Sequence, residues 1–214
     1  MMFLINQLEI KKVWNEALAD SFYKKRFQLG IIIWVAILIA FPFFFNYIEN
    51  RNGPVLNDWI INKIPAFDLS IPTFLIIWSM FLFFLYRAIQ KPELLLLFLW
   101  GFIFLSISRF ITIFLFPLNP PEQLIELSDP ITNIFYGKKH GFITKDLFYS
   151  GHTSTQFLMF LCFTKKTDKI LSLISTILIG IFVMVQHIHY SIDVLAAPIL
   201  TYCVYLLGKT TVTR

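Results

Sequence analysis

Charged residues and cysteines are both scarce in this sequence, and each shortage excludes a class of protein. Asp, Glu, Lys and Arg make up 14% of the 214 residues, whereas 57% are hydrophobic. A soluble domain carries roughly a quarter of charged residues, so an ordinary water-soluble core is excluded. The two cysteines, Cys162 and Cys203, lie inside apolar runs and imply no disulfide framework. With 8 glycines and 10 prolines against 25 phenylalanines, collagen-like and disordered chains are excluded as well.

Six apolar segments are spread along the chain. A helix needs about 20 mostly apolar residues to cross a membrane. The fourth segment is the weakest, because its apolar centre extends only from Phe157 to Phe163. We predict an all-α integral membrane bundle of six transmembrane helices over residues 29–208, with a preceding segment 1–28 and a tail 209–214. The predicted spans are 29–48, 70–89, 93–116, 152–164, 169–187 and 190–208.

The first 28 residues have two interpretations. They carry no short apolar core followed by a small-residue cleavage site, so no signal peptide is predicted. Five apolar residues give one face to a helix lying at the membrane interface, and a plain polar leader is the alternative. These residues are Leu4, Leu8, Trp14, Leu18 and Phe22.

The basic residues predict the orientation of the bundle. The net charge is +5, from 18 basic and 13 acidic residues, but the basic ones are dispersed between apolar runs, so nucleic acid is not an expected partner. With both termini in the cytoplasm, 12 of the 18 basic residues lie on the cytoplasmic side, as the positive-inside rule requires. We predict a multi-pass protein of a bacterial inner membrane.

Two connections on the predicted outer side are long. Residues 49–69 contain a short apolar piece, and residues 117–149 form a 33-residue connection with four prolines. Long connections in compact proteins are commonly functional or disordered. The aromatic and apolar content of the second connection favours a structured cap over the outer face.

Ionisable residues from three segments fall at similar depth on that outer side. Arg109 lies about two turns below the end of the third span. His152 opens the fourth span, and His189 and Asp193 open the sixth. Ionisable side chains are costly in a bilayer and are therefore functional candidates.

His189 and Asp193 are four residues apart, which on a helix places them on one face. A carboxylate bonded to one imidazole nitrogen fixes the tautomer and leaves the other nitrogen as a nucleophile. A salt bridge without catalytic role is the alternative, but it is less expected in an apolar segment.

The tetrapeptide from Ser150 to Thr153 begins an apolar run after a polar loop. Ser150 is suited to cap a helix, and Gly151 lets an anion approach the backbone. Free N–H groups at a helix start favour phosphate, and His152 there can protonate a leaving oxygen. A capped helix with a chance histidine is the alternative.

Arg109 is suited to hold a phosphate through two hydrogen bonds. Its alternative role is an intramembrane ion pair, for example with Asp193. His187 and His189 form an H-x-H pattern, but alternate helical residues point in different directions and cannot share one ion. We therefore predict no metal site and no cofactor.

Two of these stretches resemble the type-2 phosphatidic acid phosphatase superfamily, and within it the sphingomyelin synthase-like branch. Residues 146–153 match the D-x-x-x-S-G-H-T pattern of that branch. Residues 189–194 match H-Y-T-x-D-V, with Ser191 in place of threonine. A third pattern, R-x-x-T-x-x-x-T-x-L-P, is matched only in part, since Phe116 and Asn119 replace its second threonine and its proline.

The resemblance implies a mechanism. His189 attacks phosphorus and forms a phosphohistidine, Asp193 orients His189, and His152 protonates the leaving alkoxide and then deprotonates the acceptor. Arg109 holds the phosphate oxygens. The expected substrate-binding residues are Arg109, Asp146, Tyr149, Ser150 and Gly151.

The departures from the superfamily bear on the substrate. Phe102 and Phe110 stand where a lysine and a proline are expected, and Phe182 and Val183 where a serine and an arginine are expected. Two phosphate-binding cations are thus missing. A phosphomonoester carries close to two negative charges and a diester one, so the shortage favours a diester.

Loop residues bear on the same question. Lys138, Lys139 and Lys145 are alternative sources of the missing charge. Asp146 and Asp58 are candidates for attracting a cationic head group, with loop structuring or helix capping as their alternative role.

We therefore predict an enzyme that acts on lipid phosphates at the extracytoplasmic face. The first choice is a phosphotransferase that moves a phospho-head group between lipids, with a phospholipid donor and a lipid alcohol or water as acceptor. The second is a lipid phosphate phosphatase. From another class, a transporter or scaffold would use Arg109 and Asp193 as a structural ion pair.

Overall fold

The protein is described by a computed structural model that covers residues 7–128 and 143–213. Within these ranges it contains helices and no strands. A short 3-10 turn, Ile61–Lys63, lies in the connection between the second and third α-helices. The α-helices are α1 (Gln7–Ala19), α2 (Ser21–Glu49), α3 (Ser70–Gln90), α4 (Pro92–Leu115), α5 (Gly151–Cys162), α6 (Lys166–Val185) and α7 (Ser191–Val212).

Five described helices are long and apolar enough to cross a membrane: α2, α3, α4, α6 and α7. They coincide with five of the six predicted spans, and several apolar helices of this kind indicate a multi-pass membrane protein. The fourth predicted span is a helix too, but α5 has only 12 residues. Its length of about 18 Å falls short of a hydrocarbon core of about 30 Å. The count of six full spans is therefore not confirmed.

The N-terminal segment is helical from Gln7 onward. Trp14 Nε1 donates to the Ile89 carbonyl at 2.8 Å, which fastens α1 to the end of α3. Asp20 separates α1 from α2 and caps α2, because its carboxylate accepts the Phe22 N–H at 2.9 Å. The cap starts α2 well before the position expected from hydropathy alone.

Helix α4 occupies the centre of the bundle and packs against α2, α3, α5 and α7. The main core lies where α3, α4, α5 and α7 meet, around Phe84, Leu105 and Leu158. A Cβ on Gly208 would lie 2.9 Å from the backbone nitrogen of Gly101. A glycine is therefore needed for α4 and α7 to approach this closely.

Successive spans run in opposite directions, so the bundle has two distinct ends. At the site end, α2, α4 and α6 finish and α3, α5 and α7 begin. At the far end, the Tyr23 hydroxyl donates to the Pro92 carbonyl at 3.0 Å, and Arg87 forms an ion pair with Asp168.

His187 and Gln186 join the loops of the site end. The two ring nitrogens of His187 lie 2.9 Å from the carbonyls of Glu122 and Ile64. Gln186 Nε2 donates to Ser70 Oγ at 2.9 Å and also bonds the Glu126 carbonyl at 3.1 Å. Residues 117–128, the first of the two described parts of the long connection, are thus fastened to the bundle. Lys138 and Lys139 lie outside the described residues.

Candidate active site

Helix α5 begins at the centre of the candidate site. Ser150 is its N-cap, and Ser150 Oγ accepts the N–H of Thr153 at 3.4 Å. The capping role expected from the sequence is therefore present. Ser150 is fully buried, so the start of α5 lies inside the protein and not at its surface.

Arg109 lies directly against this helix start. Its Nε donates to the Tyr149 carbonyl at 3.0 Å. A Cβ added to Gly151 would come 2.7 Å from Arg109 Cζ, so only glycine leaves room for the guanidinium. Arg109 is six residues before the end of α4, about 9 Å below it. A fixed cation and the positive end of a helix thus meet at one recessed point, which favours an anion.

Asp146 is the ion-pair partner of Arg109. Asp146 Oδ1 lies 2.6 Å from Arg109 Nη2. Burial raises the pKa of the Asp146 carboxyl, but Arg109 outweighs this effect, with smaller contributions from His189 and His152, and the pKa lies below its usual value. The alternative pairing of Arg109 with Asp193 is wrong, because Asp193 bonds His189 instead.

His189 and Asp193 form a buried pair with 3.3 Å between Nδ1 and Oδ2. His189 is 3% exposed and Asp193 is 0% exposed. The contact was expected on one helix face, but α7 begins only at Ser191, after His189. Asp193 is in the first turn and turns back, so that Oδ2 also accepts the Tyr190 N–H at 3.1 Å. A capping interaction therefore brings the carboxylate to the imidazole.

Backbone contacts connect the two helix starts. The Ser150 N–H donates to the Asp193 carbonyl at 3.2 Å. Asp58 Oδ2 accepts the Ser191 N–H at 2.6 Å, and its other oxygen accepts the Ile60 N–H at 3.0 Å. Asp58 thus caps α7 and structures its own loop, which is the alternative that the sequence left open. The His189–Asp193 pair is held next to the start of α5.

A cavity of about 1370 Å³ extends from the site between α2, α3, α4 and α5. At its polar end lie Arg109, Asp146 and His152, and most of its other walls are aromatic or aliphatic. Along α2 it is lined from Glu49 to Phe27, about 33 Å. Among the described residues that line it, Arg109 is the single lysine or arginine, and His189 is not one of them.

The side chains of Tyr149 and Lys145 do not lie where a substrate-binding group or an additional cation would be expected. The Tyr149 side chain is fully buried in the hydrophobic core, and only its carbonyl reaches Arg109. Lys145 Nζ donates to the Glu49 carbonyl at 3.0 Å and to the Arg51 carbonyl. It is therefore bound at the end of α2 and does not supply the missing phosphate-binding charge.

Glu49 is a site residue that the sequence reasoning missed. Its Oε1 accepts the backbone N–H groups of Thr144 at 2.6 Å and Lys145 at 2.7 Å. The Thr144 hydroxyl donates to Oε2 at 3.0 Å. Glu49 thereby positions the segment that presents Asp146 to Arg109. A carboxylate at the end of an otherwise apolar helix was the available signal.

The fold and the site define a class: a helical membrane protein in which a buried histidine–carboxylate pair and an arginine flank one helix start. A protein-family model described as PAP2 superfamily C-terminal matches residues 145–210. The match spans α5, α6 and α7, about a third of the chain, and excludes Arg109. It supports the type-2 phosphatidic acid phosphatase superfamily for this part. No curated protein and no solved structure matches the chain.

Proposed function

We propose that the protein is a membrane lipid phosphotransferase of the type-2 phosphatidic acid phosphatase superfamily, similar to the sphingomyelin synthase-like branch. One observation carries the proposal: the long apolar cavity ends at Arg109, His152 and the start of α5. The His189–Asp193 pair lies beside that same helix start. A lipid chain, a phosphate and a nucleophile thus have adjoining places.

The chemistry proceeds in two steps. His189 Nδ1–H donates a hydrogen bond to the Asp193 carboxylate, and this tautomer leaves the Nε2 lone pair to attack phosphorus. Nε2 makes no hydrogen bond to another described residue. The bond from phosphorus to the leaving oxygen breaks, and His152 supplies the proton to that oxygen. In the second step His152 removes the proton from the acceptor hydroxyl, whose oxygen displaces His189 from phosphorus.

Arg109 stabilises the charge on the non-bridging oxygens during both steps. Its Nη2 is bonded to Asp146. An incoming phosphate therefore exchanges with the Asp146 carboxylate, which is then free to contact a cationic head group. Through this exchange Arg109 has a negatively charged partner both before and after the phosphate binds, so its buried charge is never unpaired.

Transfer of a phosphodiester head group is favoured over hydrolysis of a monoester by the number of cations. Arg109 is the single lysine or arginine among the described cavity residues. Phe102, where the superfamily carries lysine, lines the apolar wall. One arginine suits the single negative charge of a diester better than the higher charge of a monoester.

The proposed orientation places both termini in the cytoplasm and the site end on the extracytoplasmic face of a bacterial inner membrane. In that orientation α5 adds a short sixth membrane helix to the five long ones. The distribution of lysine and arginine supports this arrangement.

Product analysis tests the proposal. The purified protein is placed in vesicles that contain phosphatidylcholine, phosphatidylethanolamine, phosphatidic acid, ceramide and diacylglycerol, and the lipids are followed by mass spectrometry. We expect head-group transfer that is lost in His189→Ala. Free phosphate from phosphatidic acid alone would make the protein a phosphatase. Lipid turnover that persists in His189→Ala would contradict the proposed nucleophile.

A further inference from the structure

Gln156 is a polar residue in the cavity that the proposed chemistry does not use. It is 1% exposed and lines the cavity together with His152. The two residues are four apart on α5, so they share a helix face, with Gln156 about 6 Å deeper along the axis. Its amide is therefore a polar group one helical turn below His152 on the α5 side of the cavity.

The amide of Gln156 is held by α6. The Ser175 hydroxyl lies 3.0 Å from Gln156 Oε1 and 2.8 Å from the Ser172 carbonyl. Because the Ser172 carbonyl already accepts the Thr176 hydroxyl at 2.7 Å, we assign the single Ser175 proton to Gln156 Oε1. Ser172 Oγ donates to the Gln156 backbone carbonyl at 3.0 Å. With Oε1 occupied, the Nε2 group remains as a donor, and it makes no hydrogen bond to another described residue. A buried donor without an acceptor is costly, so a ligand acceptor at this place would stabilise it.

We infer that Gln156 Nε2 donates to a carbonyl oxygen of the lipid donor, an ester of a glycerolipid or an amide of a sphingolipid. This inference rests on the proposed function. In such lipids the carbonyl groups lie a few bonds from the phosphate on the side of the acyl chains. A phosphate at Arg109 with its chains in the cavity directs those carbonyls toward the depth of Gln156. Gln156 thus distinguishes acyl lipids from alkyl ether lipids.

Matched donors with ester or ether linkages test the inference. The full-length protein in vesicles is given diacyl or dialkyl phosphatidylcholine and phosphatidylethanolamine of equal chain length, and kcat/KM is measured for loss of donor. We expect the native protein to prefer the diacyl donor by about five- to tenfold, the size of one net hydrogen bond. Gln156→Met keeps the side-chain length but not the donor, so the preference falls to about one through slower use of the diacyl lipid alone.

Gln90→Met is the matched control. Gln90 Nε2 is buried without a hydrogen-bond partner among the described residues, but Gln90 ends α3 at the far end and is absent from the described cavity lining. We expect this variant to keep the native preference. If Gln156→Met does not fold, Ser175→Ala releases the amide while it retains Gln156, and the preference should fall in part.

Three outcomes would overturn the inference. Equal losses for both donors in Gln156→Met would show a structural role, and an unchanged preference in a folded variant would show no contact with the carbonyl. Both results leave the proposed function intact. If the native protein consumes neither donor, the proposed function itself fails, and the assignment of Gln156 fails with it.

Discussion

Two arginine–aspartate pairs lie at opposite ends of the bundle. At the far end, Arg87 meets Asp168 through two contacts of 2.9 Å each, and the Arg87 guanidinium lies 5.2 Å from the ring of Phe83. At the site end, Arg109 meets Asp146 through one contact and uses its Nε for a backbone carbonyl. Both pairs join elements distant in sequence, yet their surroundings differ.

The difference shows what distinguishes a structural ion pair from a candidate site. Arg87 is bordered by Asp168 and by aromatic rings, which match its charge and its flat faces. Arg109 is bordered by the start of α5 at Gly151 and by the cavity, which His152 also lines. Ionisable residues thus occur at both ends, but among the described residues the histidines lie at the site end and not at the far end.

The largest expected difference in kcat is between variants of the two buried aspartates, one at each end of the bundle. Asp193→Asn should reduce kcat by about 10³- to 10⁴-fold, because an amide no longer selects the tautomer of His189. Asp168→Asn should leave kcat within a few-fold and lower the thermal stability. Steady-state kinetics and thermal unfolding in detergent measure both. Equal kinetic effects of the two variants would remove the distinction between the ends.

Variants of the two arginines should differ in the same way as variants of the two aspartates, with the larger kinetic effect at the site end. Arg109→Lys should lower kcat/KM by about 10²-fold, since an ammonium cannot span two phosphate oxygens as a guanidinium does. Arg87→Lys should keep the activity per folded molecule and lower the unfolding temperature, because one of two contacts to Asp168 is lost. An Arg109→Lys variant with native kinetics would show that Arg109 is structural as well.

Glu49 sharpens the comparison, because its proposed role is to position Asp146. Glu49→Gln should weaken the bonds to Thr144 and Lys145 and lower kcat/KM by about tenfold, a moderate effect for misplaced groups near a site. Glu122→Gln removes an exposed charge from the same end and should have no such effect. Separate measurement of kcat and KM for both variants tests this expectation. If Glu49→Gln lowers the stability without changing either constant, the positioning role is refuted.

The smallest effect concerns acid stability at the site end. Burial raises the pKa of Asp58, but its hydrogen bonds to Ser191, Ile61 and Ile60 outweigh this and lower it. The folded state therefore gains about 1 kcal/mol from the carboxylate above the ordinary aspartate pKa of about 3.9. This gain disappears as the pH falls through the lower folded value. The difference in unfolding temperature between the native protein and Asp58→Asn should be constant near neutral pH and vanish in acid.

Hydrophobic runs predicted six spans, and five of these coincide with long apolar helices, because apolar length determines which segments suit a bilayer. The start of α5 was also predictable, since Ser150 is a strong capping residue next to an apolar run. The start of α7 was predicted to within one residue, at 190 instead of Ser191. The non-helical position of His189 was not predicted, because nothing local shows that His189 precedes the helix. There the contacts of His187 with two distant loops outweigh helix propensity.

The contacts between the site residues were harder to predict than the identity of those residues. His152, His189 and Asp193 stand out as polar residues in apolar segments. The pairing of Arg109 with Asp146 depends on how a long connection returns to the bundle, which residue spacing does not encode. Gln156 carried a signal that the sequence reasoning missed, since it is an amide one helical turn after His152, directly before the apolar run from Phe157 to Phe163.

The phosphohistidine is the most direct test of the proposed chemistry. The protein is mixed with a donor lipid labelled in its phosphate, quenched in alkali after short reaction times, and mapped by mass spectrometry. We expect an alkali-stable, acid-labile phosphoryl group on His189, absent from His189→Ala and formed more slowly in His152→Ala. Rapid turnover with no label on His189, or with the label on another residue, would contradict the mechanism.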